Sequence, residues 1–178
     1  NAITSLAVAF IALAAYISFR FEYKIAISAL VSILHDLIMV LGFFSFFHLE
    51  IDASFLAAIL TVVGYSMNEA VVIFDRVREN TRTHRRTDSY EKLAHDSISQ
   101  SIHRSIYTLT TVLFACGALH FFGGDSTKNF SLVMLIGFIS GAYSSICVDT
   151  SLWVVWKNHT SHKRGPKAIE TEPAETEE

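Results

Sequence analysis

A few ionisable side chains in this 178-residue sequence lie inside apolar stretches, where a charge is costly and its presence implies work. Asp36 stands beside His35 near the middle of the apolar run 25–47. A carboxyl there either carries a proton or seals a contact between helices by hydrogen bonding. On a helix His35 points about 100° away from Asp36 and can bond across another interface. Asn68 and Glu69 lie in the run 53–74, ahead of Asp75 and Arg76. Glu69 precedes Asp75 by six residues, which places it about 9 Å deeper at roughly 1.5 Å per residue. At that depth it either exchanges protons with a water-filled path or forms a buried ion pair. His103 and Arg104 open the run 105–122. Arg104 either snorkels to the headgroups or, at a depth matching Glu69, serves as its counter-ion. Protonation of Glu69 would then release Arg104 and bias a helix shift. Asp149, in the run 130–156, is read as structural and drawn toward the nearby interface.

Other chemistry is not indicated. There is no nucleophile elbow, phosphate loop, zinc pair or Ser/His/Asp order, and the eight histidines are scattered over loops and run ends. Cys116 and Cys147 lie in apolar runs without a CxxC and read as small buried hydrophobes. No catalytic residue, cofactor or metal site is therefore expected. A basic stripe with interleaved aromatics is also missing, which argues against nucleic-acid binding.

The elements that must hold these groups follow from composition. Hydrophobic residues make up 51% of the chain and charged residues 17%, against about 25% in soluble domains; mean hydropathy is +0.38. The five apolar runs, 2–19, 25–47, 53–74, 105–122 and 130–156, are each near the roughly 20 residues that cross a bilayer. None contains proline, since Pro166 and Pro173 lie in the tail. Uninterrupted helices satisfy their own backbone in lipid. Continuous rather than alternating apolarity excludes a β-barrel. The expected fold is an all-α, five-span polytopic bundle.

Every Lys and Arg except Lys128 falls in loops on one side of that topology. By the positive-inside bias, this basic side and the C-terminus are cytoplasmic. The stretch 75–104 forms a cytoplasmic loop in which Asp88 and Glu91 have capping spacing, so a short surface helix leading into the fourth span is expected. The tail 157–178, basic and then acidic, is expected to be disordered, its basic part touching anionic membrane lipids. Gly137 and Gly141 form a small-xxx-small pair near Ser140, Ser144 and Ser145, and with Gly64 they are candidates for close helix packing. The chain starts at Asn1 directly inside an apolar run, which reads as a cut edge within a longer protein.

The stretch from Gly64 to Asn80, GYSMNEAVVIFDRVREN, resembles the signature of the SecF family, which reads GYS, Asn-Asp, an apolar run and FDR-x-REN. His35-Asp36 resembles its HD pair, and Arg20-Phe21-Glu22 its RFE turn. The segments Arg104–Thr111 and Gly141–Ser145 resemble its R-T-x-x-T-x-x-T-T and G-T-Y-S-S motifs. These fall in family order over nearly all of residues 2–156. SecD shares the architecture, but its equivalent helix reads differently.

The resemblance implies the membrane half of a six-helix protein-export subunit of the resistance-nodulation-division superfamily, without its first helix and exported domain. It implies a bacterial inner-membrane location, partnership with SecD beside the SecYEG translocon, and use of the proton gradient to promote export of preproteins. Glu69 falls where the family has an Asp implicated in the proton path, and Arg104 falls on its matching Arg. The longer glutamate keeps the charge and alters the reach. The alternative reading is a proton-coupled small-molecule or lipid exporter of the same superfamily.

Overall fold

A computed structural model of the chain describes residues 2–20, 22–83 and 89–163. All its regular elements are helical: α1 (Ala2–Arg20), α2 (Tyr23–Phe46), α3 (Ala53–Thr83), α4 (Tyr90–Phe122), α5 (Asp125–Ser144), a π-helical turn (Ser145–Asp149) and α6 (Thr150–Lys163). Among the described residues, four helical stretches are long and apolar enough to cross a membrane: those of α2, α3, α4, and the continuous α5–π–α6 rod from Thr127 to His159. A shorter apolar stretch, Ala7–Tyr16, lies within α1. All five expected runs are thus helical, four of them meeting the full length and hydropathy of a span.

Local chemistry sets the helix ends. The Asp52 carboxylate accepts from the Phe55 N–H at 2.8 Å and starts α3. The Ser89 hydroxyl accepts from the Lys92 N–H at 3.3 Å and starts α4, one residue later than the capping position read from Asp88. α4 ends at Gly123, whose N–H bonds the Leu119 carbonyl at 2.9 Å. A Cβ there would lie 2.2 Å from that carbonyl oxygen, so the turn between α4 and α5 needs glycine.

The expected surface helix and fourth span form one rod of 33 residues. No glycine or proline interrupts it before Gly117. The hydroxyls of Ser97 and Ser101 bond back to carbonyls four residues earlier, at 2.7 and 2.9 Å, so these polar side chains are satisfied without ending the helix. α3 likewise runs on to Thr83, so much of the expected loop 75–104 is helical. At about 1.5 Å per residue these two rods exceed the roughly 30 Å hydrocarbon layer and project at one end. There the Asn80 amide donates to Ser97 Oγ at 2.9 Å and to Gln100 Oε1 at 3.2 Å. The same basic end is joined by Lys157 to Glu22 at 3.0 Å, by Asn158 to Glu91, and by Tyr90 edge-on to Trp153. Of the tail expected to be disordered, 157–163 belongs to α6, because the helix continues through these polar contacts; 164–178 lies outside the described residues.

α5 is the central helix, packed on α2, α3 and α4. Gly137 permits this, since a Cβ there would fall 2.3 Å from a methyl of Val62 on α3. Phe44, Phe55, Val62, Phe74 and Val133 fill the surrounding core.

Candidate functional site

The centre of the bundle is polar. Asp36, 1% exposed, sits on the inner face of α2 where α3 and α5 converge. Its carboxylate accepts three serine hydroxyls: Ser66 of α3 at 2.6 Å, and Ser140 and Ser144 of α5 at 2.7 and 2.8 Å. Ser140 and Ser144 are one turn apart on the α5 face that also carries Gly137 and Gly141. Gly141 brings the backbone in: a Cβ there would lie 3.3 Å from Ser66 Cβ and 3.6 Å from Asp36 Oδ2. The His35 ring approaches from the half-buried side, with Nδ1 3.4 Å from Asp36 Oδ1, closer than the 100° offset of the two side chains suggested.

An ionised carboxyl is acceptor-only and takes all three hydroxyls; a protonated one turns an oxygen into a donor and loses part of that capacity. Three helices therefore meet at this one carboxyl. The serines were legible only as small packing residues, because nothing local ties Ser140 to a carboxyl 104 positions earlier.

Just past the cage the α5–π–α6 rod changes pitch. Thr150 Oγ1 donates to the Ser145 carbonyl five residues back at 3.4 Å, while Ser145 Oγ reaches Gly141 O at 2.8 Å. Single π turns inside α-helices concentrate at functional sites. This one carries Asp149, which is fully enclosed and has no hydrogen-bond partner at either oxygen. The Ser32 hydroxyl, also buried and unpaired, faces it from α2. No sequence signal separates this segment from ordinary helix.

Other residues singled out from sequence are placed less centrally. Glu69, 3% exposed, lies on the inner face of α3, one turn beyond Ser66. Asn68 is exposed, and Asp75 and Arg76 are half-buried, Arg76 bonding Glu79. Arg104 is exposed on α4. Among the described residues no ion pair or hydrogen bond joins Arg104 to Glu69, so the matched depth does not become a contact. The reason is rotational: the neighbours Ser101 and Ser105 take the inward face of α4, and Arg104 falls beside it. Gly64 lies on the outer face of α3 with nothing within 4 Å of a Cβ, so close packing falls to Gly137 and Gly141 instead. Among the described residues no cluster of His, Cys, Asp and Glu could hold a metal ion.

Residues 1–159 match the family described as protein export membrane protein SecD/SecF, C-terminal. A "Protein translocase subunit SecF" of Alicyclobacillus acidocaldarius is 45% identical over 157 residues, covering 86% of this chain and 51% of that protein. A "Protein translocase subunit SecDF" of Bacillus subtilis is 42% identical over 166 residues, covering 92% of this chain and 22% of that protein. The crystal structure of SecDF from Thermus thermophilus, a translocon-associated membrane protein, superposes with a TM-score of 0.85 at 37% identity, over 89% of this chain and 22% of that one. The chain thus spans about half the length of the SecF relative and about a fifth of the SecDF proteins.

Proposed function

The chain belongs to the SecD/SecF family of protein-export membrane proteins, and from that premise we propose that it is the membrane-embedded part of an accessory subunit of the Sec preprotein translocase, driven by the proton gradient. It works with SecD beside the SecYEG channel in the bacterial inner membrane, with its C-terminus in the cytoplasm. Fusion of the two subunits in SecDF relatives supports the partnership with SecD. Placement of all basic residues but Lys128 on one side supports the orientation.

One observation carries the reading: the buried carboxyl of Asp36 is held by hydroxyls from two other helices. Loading it with a proton weakens the grip of α2 on α3 and α5, and unloading it restores that grip. A gradient that alternately fills and empties the site thereby drives a cyclic change in helix packing, the form of work an export motor needs. Glu69, one turn from Ser66, is the second proton-binding carboxyl of the bundle. Arg104, on the open face of α4, is available to a partner helix rather than to Glu69.

The test is gradient-dependent export in the complete reconstituted translocase. Asp36→Asn keeps size and polarity but cannot take up the proton; the gradient-stimulated rate should fall about a hundredfold, the lower range for a positioned proton-transfer group. Wild-type stimulation in Asp36→Asn would sink the proposal.

A further inference from the structure

Asp149 lacks the hydrogen-bond partners of a structural carboxylate. It is enclosed on all sides and unpaired at both oxygens. An ionised carboxyl without a donor is the costliest group to bury, whereas the neutral acid is tolerated. A second feature meets it. α2 carries Lys24, Ser28, Ser32 and Asp36 at intervals of four, with exposures of 7, 0, 1 and 1%. That spacing puts them on one helix face, a buried polar file about 18 Å long from the basic end to the serine cage. Ser28 Oγ bonds the Lys24 carbonyl at 3.0 Å. Ser32, one turn from Asp36 toward the basic end, is the member without a partner, and it faces Asp149. The two unpaired groups thus meet where α2 packs against the π turn.

We propose that Asp149 and Ser32 form, with Asp36, a two-carboxyl proton station in which Asp149 is the member nearer the basic end of the bundle. This rests on the reading of Asp36 as a proton carrier. In one state Asp149 holds the O–H and Asp36 is the carboxylate bound by its serines. In transfer the Asp149 O–H bond breaks as Ser32 accepts that proton, and Ser32 gives up its own toward Asp36, where a new O–H forms. The pair carries one proton and one negative charge before and after. Both Asp149 oxygens lack a donor while Asp36 accepts three hydroxyls, so the proton belongs on Asp149 and the charge on the carboxylate that is satisfied. The charged or titratable groups on the elements packed against the π turn are Tyr23, Lys24, His35 and Asp36 of α2, Tyr65, Glu69, Asp75, Arg76, Arg78, Glu79 and Arg82 of α3, Asp125, Lys128 and Tyr143 of α5, and Lys157, His159, His162 and Lys163 of α6.

The complete reconstituted translocase tests this by infrared difference spectroscopy and by gradient-dependent export across a pH series. The wild type should show the carbonyl stretch of a buried protonated carboxyl. Asp149→Asn should remove that band and lower the gradient-stimulated rate about a hundredfold. Asp149→Glu should retain both, and it carries the test if the asparagine variant does not accumulate. Ser32→Ala should keep the band while slowing export. A band and export rate unchanged in Asp149→Asn overturn the proposal, as does loss of both in Asp149→Glu in a protein that still accumulates. If Asp36→Asn abolishes stimulation while Asp149→Asn leaves it intact, only this inference fails; if both leave it intact, the proton reading of Asp36 fails as well.

Discussion

The junction of α2, α3 and α5 and the outer half of α4 handle polarity in opposite ways. At the junction, a carboxylate and its serine hydroxyls are buried and complete one another within the chain. Along α4, Arg104, Thr110 and Thr111 lie outside, among exposed Tyr107, Phe114 and Phe121. The threonines bond carbonyls of their own helix, and Arg104 pairs with nothing described. A polar group in lipid needs a partner, and the two regions differ in supplying it: Asp36 has its partners inside the chain, whereas the Arg104 side chain has none among the described residues.

Substitutions ranked by unfolding in detergent sharpen the contrast. Asp36→Ala removes the acceptor of three buried hydroxyls and should cost about 3 kcal/mol. Gly137→Val drives methyls into Val62 and should cost about 2 kcal/mol through overpacking. Ser140→Ala deletes one bond to the carboxylate and should cost about 1.5 kcal/mol. Arg104→Ala should stay within about 0.5 kcal/mol in the isolated chain, because its side chain is exposed. The same change should weaken co-purification with SecD. A large loss of stability in the isolated chain would erase the contrast between the two regions.

The smallest effect is expected at the rim of α5. There the Lys128 ammonium donates to Asp125 at 2.7 Å, and that bond and its charge hold the carboxyl below its ordinary range. A lowered folded value adds stability above the unfolded value, lost as pH falls through the folded one. Both side chains are exposed, so solvent screens the contribution and the melting temperature should not respond. The site remains visible to an NMR titration: Lys128→Gln should return the Asp125 midpoint to that of a free aspartate.

Much of the bundle was legible because lipid-spanning helices are written in local composition. Runs without proline gave the five helices. Asp36 and Glu69 stood out as carboxyls in apolar sequence, and both are buried. The surface helix merged into α4 because its serines bond within the helix, a choice composition does not reveal. The enclosure of Asp149 was not legible, because it depends on α2 packing against the π turn and not on residues near it in the chain.

Sequence alone determined that this chain is helical and membrane-spanning, which side is basic, and which side chains are too polar for lipid, since each property depends on residues within a turn or a span of one another. Tertiary structure decided that Ser66, Ser140 and Ser144 gather on Asp36, that Asp149 meets Ser32, and that Glu69 and Arg104 stay apart. Those outcomes depend on how each helix is rotated about its axis. That rotation is set by close contacts such as Gly137 on Val62, between residues far apart in the chain.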